Sequence, residues 1–119
     1  MEEYGISSKL ASVRSTGLSV QEVESNPKAL FEALMGAAEK AVIQDGAHIL
    51  VLGCTGMIGV ARQLQDALQA REIHVPVLDP PGVAIKMAEA LSDLELSHSK
   101  MTYPLPPKKA LSGYPDLEF

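Results

Sequence analysis

A run of apolar residues leads into the only cysteine of the chain, and that junction dictates the architecture around it. Ile49, Leu50, Val51 and Leu52 are continuous and aliphatic; Gly53-Cys54-Thr55-Gly56 then makes a tight turn, and a helical pattern starts near Met57. A stretch that is apolar at every position suits a parallel strand covered on both faces. A parallel strand needs a crossover, usually a helix, to reach its neighbour. A thiol at the strand-to-helix turn would sit beside unpaired backbone N–H groups and the positive end of a helix dipole, which favour the thiolate.

The flanking sequence supplies the other elements. Residues 9–14 read as a short strand and Ser15-Thr16-Gly17-Leu18 as a loop. Asn26 reads as a helix N-cap with Pro27 at the first helical position. Leu30, Leu34, Ala37 and Ala41 then follow helical spacing, widened by Phe31, Met35, Ala38 and Val42. Asp45-Gly46 ends that helix, with Gly46 as a left-handed cap. After the strand over residues 48–52 comes a helix over 57–71, with Val60, Leu64, Ala67 and Leu68 inward. Residues 73–78 form another strand, whose Pro76 argues for an edge or a strand end. A final helix over 83–94 carries Ile85, Ala88 and Leu91 on one side. The order β-α-β-α-β-α predicts an α/β fold: three layers around a small parallel sheet with right-handed crossovers. Residues 1–96 make the domain, and residues 97–119 an extended, Pro-rich tail.

Composition narrows the function classes. Among 119 residues, 46% are apolar but only 4% aromatic, with no Trp, so the core is aliphatic. The formal charge of −5 and the lack of a Lys/Arg stripe argue against a nucleic-acid partner. No stretch is long enough to predict a membrane span. One cysteine cannot form an internal disulfide, which fits a cytoplasmic location. With one Cys and three His (His48, His74, His98) lacking ligand spacing, no metal site is expected.

Three readings of the Cys54 turn compete. Cys54 can simply pack at a turn, as free cysteines often do, within an α/β module that has no catalytic role. Gly53, Gly56 and Gly59 fit G-x-x-G-x-x-G, with Asp79 about 20 residues beyond, as in a loop of an NAD(P)-binding reductase. That loop normally follows the first strand of its domain, and here a strand and a long helix come before it.

The third reading is a resemblance. Ile49-Leu-Val-Leu-Gly-Cys-Thr-Gly-Met57, followed by Val75-Pro-Val-Leu-Asp-Pro80, resembles the second half of the aspartate/glutamate/hydantoin racemase family. Tyr4-Gly5, Ser12-Val13-Arg14, the helix from Val83 and the stretch from His98 to Pro104 extend the likeness over most of the chain. The resemblance implies one half of a two-domain fold. Each domain of such a racemase gives one cysteine to a shared cleft, because racemisation removes a proton from one face of a carbon and returns one to the other. It makes Cys54 the catalytic residue of this half, with Gly53, Thr55, Gly56 and Met57 binding a carboxylate or imide oxygen of the substrate. It implies no cofactor and a small-molecule substrate, an amino acid or a hydantoin.

The chain departs from the pattern in lacking a second cysteine, a first domain and a preceding strand. The expectation is therefore a fragment that does not racemise alone, completed by a missing N-terminal domain or by homo-oligomerisation. Arg14 and the loop hydroxyls of Ser15 and Thr16 could line a cleft. A surface ion pair for Arg14 and turn formation by the hydroxyls are the expected roles. Asp79 is expected to cap the last helix rather than act as a base. Lys108-Lys109 reads as solvated tail. Leu105, Leu111 and Tyr114 are expected to be exposed or to pack on another copy.

Overall fold

Ser19-Val20-Gln21-Glu22 begins the first α-helix of the computed structural model, which describes residues 4–57 and 59–107. The Ser19 side chain accepts the Glu22 amide N–H, and the Glu22 carboxylate accepts the Ser19 amide at 2.8 Å. This reciprocal capping box starts α1, Val20–Ser25. The serine-to-glutamate spacing that marks it stands in the sequence, yet this helix lies outside the elements expected above.

Asn26 then caps α2, Pro27–Ile43, its side chain accepting the Ala29 N–H at 3.1 Å, with Pro27 at the first position as expected. Leu30, Leu34, Met35, Ala38 and Ala41 are its buried face. Gly46 ends the turn beyond α2 at φ +70°, where the Ala47 N–H reaches the Ala41 carbonyl and the Gly46 N–H reaches that of Val42. These nested bonds close the helix end, and glycine carries the left-handed residue without a Cβ penalty.

Next come β1, Leu50–Val51, α3, Val60–Gln69, β2, Val77–Leu78, and α4, Pro80–Asp93. The strands pair in parallel, Leu50 with Val77 and Val51 with Leu78. The fold is α/β with a small parallel sheet, as expected, but the sheet among the described residues has two strands rather than three. In place of the expected strand over residues 9–14, Lys9 closes a 3-10 turn, Ser7–Lys9, and residues 10–14 have no ladder partner. Arg14 instead bonds Asp45, just past α2, so the segment is held by a side chain and not by a backbone ladder. The two strands are also shorter than expected. Pro76 has no N–H to give, and β2 starts immediately after it; its carbonyl accepts the Leu50 N–H.

The chain divides into two compact units, Met1–Lys86 and Met87–Phe119. In the first, Leu30, Leu34, Met35 and Ala38 of α2 meet Ala61, Leu64 and Leu68 of α3, together with Leu52, Met57 and Val77. Leu64 and Leu68 retain 1% and 0% of their exposure. Burial of each contributes roughly 1.5–3 kcal/mol against an exposed side chain. In the second unit, His98 and Tyr103 stack edge-on at 5.6 Å. The Tyr103 N–H donates to the Ser99 carbonyl, so the expected extended tail contains a turn. Leu105 is exposed. Lys108, Lys109, Leu111 and Tyr114 lie outside the described residues.

Ile85, Ala88 and Leu91, expected on one side of the last helix, are all exposed on α4. No residue of α4 is buried, and Val83, Ile85 and Met87 are each at least half exposed. Helical spacing identifies a face that can be covered but not what covers it. Among the described residues, no helix is long and apolar enough to cross a membrane.

Candidate functional site

Parallel pairing of β1 and β2 places the loops that follow them side by side at the carboxyl end of the sheet, where α/β folds hold their sites. The Cys54 loop follows β1 and Asp79 follows β2, as the sequence implied. Cys54 is a free, half-buried thiol packed against the core on one side. A Cβ built on Gly56 would lie 3.7 Å from its Sγ, so the missing side chain leaves the sulfur uncovered on that side. Gly53, Thr55 and Gly56 are exposed.

The loop is longer than expected. α3 starts at Val60, not near Met57, because Gly59 takes φ +74° and breaks the helical path. The Val60 N–H turns back to the Met57 carbonyl at 3.3 Å. Cys54 therefore stands six residues before the helix and not on its first turn, outside the reach of the helix dipole expected to favour the thiolate. Gly59 holds the N-cap position of α3, with no side-chain bond. Met57 sends its side chain into the core, 8% exposed, and its N–H to the Cys54 carbonyl at 3.4 Å. The N–H groups of Thr55 and Gly56 make no bond among the described residues and point from an exposed turn. The loop can thus offer one sulfur, two amides and the Thr55 hydroxyl to a small molecule.

Asp79 stands directly before α4. Its carbonyl accepts the Val83 N–H at 3.0 Å and its carboxylate lies beside Gly82, the placement of a cap and not of a base. Arg14 is an ion-pair residue: Nε and Nη2 meet the two Asp45 oxygens at 2.6 and 2.7 Å, and Nη2 also donates to Gln44. The Arg14 guanidinium is first in holding the Asp45 carboxyl down to about 2. The Ser12 hydroxyl adds to this, although its buried oxygen completes no hydrogen-bond geometry among the described residues; it acts as a nearby dipole. Ser15 and Thr16 spend their hydroxyls on the Gly17 and Leu18 amides, forming the turn as expected. A hollow of about 510 Å³ gathers Arg14, Ser15 and Thr16 with Glu32, Gly36 and Lys40 of α2, and Cys54 is not part of its lining.

His48 and His74 precede β1 and β2, at the ends away from Cys54. Gln65 is the residue that sequence reading missed. From α3, its side-chain oxygen accepts the Val77 N–H at 2.9 Å, on the strand beside the cysteine loop. A glutamine among helix formers gives no local signal of such a contact.

The fold and the loop define an α/β domain that presents a thiol at the carboxyl end of a parallel strand. Comparison with known proteins makes this more specific. The model of the Asp/Glu/hydantoin racemase family matches residues 1–88, and the chain belongs to that family. It is 40% identical over 110 residues to the hydantoin racemase of Paenarthrobacter aurescens and 34% identical over 114 residues to that of Pseudomonas sp. (strain NS671). Those matches cover 92% and 95% of this chain but 44% of each relative. The crystal structure of allantoin racemase from Pseudomonas fluorescens superposes with a TM-score of 0.78 at 39% identity, covering 93% of this chain and 46% of that one. The chain thus spans less than half the length of these relatives. They lend no support to the reductase reading of the three glycines or to a non-catalytic module.

Proposed function

We propose that this chain is the cysteine-bearing half of a racemase acting on a hydantoin-type ring, and that Cys54 is one of its two proton-transfer groups. The single observation that carries the reading is the half-buried Cys54 thiol, uncovered toward Gly56 at the carboxyl end of the sheet, in a chain 40% identical to a hydantoin racemase. The relatives named for hydantoin and allantoin racemisation favour the ring substrate over a free amino acid.

A proton on the ring carbon next to a carbonyl is acidic because its loss places charge on the carbonyl oxygen. In one direction Cys54, as thiolate, takes that proton. A thiol on the opposite face then returns a proton to the carbon, and the carbon inverts. In the reverse direction the roles exchange. In this reading the amides of Thr55 and Gly56 and the Thr55 hydroxyl hold the oxygen as charge develops, and Gly53 leaves room for the ring's approach. Met57 serves from beneath, its side chain anchoring the loop in the core. The opposite thiol comes from polypeptide outside this chain, since Cys54 is its only cysteine. The reaction as written needs no cofactor, and cysteines kept reduced in a cytoplasm suit it.

The test is substitution in a racemase completed with this half. Cys54→Ser and Cys54→Ala should each reduce racemisation, followed by loss of optical rotation, by at least about 100-fold. Unchanged turnover in either variant would reject the role of Cys54.

A further inference from the structure

The loop that carries Cys54 is tied weakly along its own length. Its described amides give two closing bonds: the Met57 N–H reaches the Cys54 carbonyl at 3.4 Å, and the Val60 N–H reaches the Met57 carbonyl at 3.3 Å. Both are longer than an ordinary N–H···O bond. The position of the thiol therefore depends on what holds the two ends. At the near end, the Leu52 N–H donates to the Leu78 carbonyl of β2 at 3.2 Å. At the far end stands α3. Leu64 and Leu68 bury one face of that helix, but apolar contact has no direction. It sets which face turns inward and not the height of the helix along the strand. Direction comes from Gln65, whose Oε1 accepts the Val77 N–H of β2 at 2.9 Å. β1 bonds the Pro76 and Leu78 carbonyls, and alternation turns the Val77 N–H outward, so Gln65 takes a donor that β1 does not use. From Val60 to Gln65 the helix rises roughly 7.5 Å, so this anchor lies within two turns of the loop.

We propose that Gln65 is a positioning residue for Cys54: by tying α3 to β2, it fixes the separation between the two ends of the Cys54 loop. Both ends are referred to the same strand, one through Leu52 and Leu78, the other through Gln65 and Val77. The loop, the helix and β2 thus form a closed frame with the thiol on its open side. Proton transfer to or from carbon needs the sulfur within hydrogen-bond reach, and a small misplacement costs rate steeply. Gln65 acts through the backbone and not on the substrate. Its side chain has no proton to gain or lose in the working range, so the frame keeps its shape while the thiol titrates. The consequence for turnover rests on the proton-transfer role proposed for Cys54; the frame itself rests on the hydrogen bonds.

The experiment compares Gln65→Leu, which keeps the bulk but cannot accept the Val77 N–H, with Gln65→Glu, which keeps both length and acceptor. In a racemase completed with this half, turnover is measured per folded protein, well below the melting temperature of each variant. Gln65→Leu should lower kcat by at least about tenfold and change KM by less than about threefold, while Gln65→Glu should stay within about twofold of the native kcat. Gln65→Asn, shorter by a methylene, carries the expectation of the leucine variant should that one not fold. A merely structural role would lower the melting temperature and leave the kcat of the folded protein unchanged. The chain itself gives a readout without turnover, because Cys54 is its only cysteine. Iodoacetamide should alkylate Cys54 at least about threefold faster in Gln65→Leu than in the native chain, and at the native rate in Gln65→Glu. Three results would overturn the proposal. One is an alkylation rate that Gln65→Leu leaves unchanged. Another is a kcat within about twofold of native in Gln65→Leu, in a racemase that Cys54→Ser inactivates. The third is a loss in Gln65→Glu as large as in Gln65→Leu, since the acceptor would then not matter. A Cys54→Ser racemase that keeps its turnover would end the proton-transfer reading alone, and the alkylation rates would still decide whether Gln65 holds the thiol.

Discussion

At Asp45 a single carboxylate joins the segment of residues 10–14, through Arg14, to the turn after α2. Its folded value of about 2 lies below the ordinary 3.8, so its contribution to stability is fully present above pH 3.8 and is lost as pH falls through about 2. Arg14, raised by the same pair, stays charged throughout. Thermal melts between pH 6 and 2 should show this acid-side loss in the native chain and a smaller one in Asp45→Asn; equal slopes would show that the pair does not contribute. Gln65 makes a different kind of bond, neutral and partly buried. Gln65→Ala leaves the Val77 N–H without a partner and should lower stability by about 1–3 kcal/mol in urea unfolding, whereas a value near zero would mean that water replaces the side chain. Both residues are legible in the sequence only as polar positions. Their partners lie 31 and 12 residues away, and local pattern does not report such distances.

The helices were legible where a start or stop has a local chemical cause. Asn26-Pro27 and Gly46 mark the two ends of α2 because capping acts within a few residues. The same logic applies to Ser19 and Glu22, whose spacing marks the capping box of α1 although the helix is too short to show a hydrophobic period. Periodicity misplaced the start of α3, since Met57 fits the apolar pattern yet enters the core from a loop that Gly59 interrupts. Gly36 offers a test inside α2. Nothing lies within 4 Å of a Cβ placed there. Gly36→Ala should therefore stabilise the chain by about 0.5–1 kcal/mol through helix propensity alone, measured by urea unfolding. A loss would reveal a clash that the open space excludes.

For the whole molecule, α2, α3 and the strand ends share one aliphatic core with Leu68 at its centre, fully buried. Leu68→Ala should cost about 2–5 kcal/mol, a large share of the stability of a domain this size, and erase the cooperative thermal transition. A sharp melt at the native temperature would place the core elsewhere. By itself, the sequence determined the α/β class, the parallel strand leading into Cys54, the caps of α2 and the family, because each depends on residues close together in the chain. Tertiary structure decided which expected strand pairs, where the α3 helix begins, that Arg14 serves Asp45, and that the apolar face of α4 stays uncovered. Those outcomes depend on which surfaces meet, and the same apolar spacing is compatible with a partner or with none.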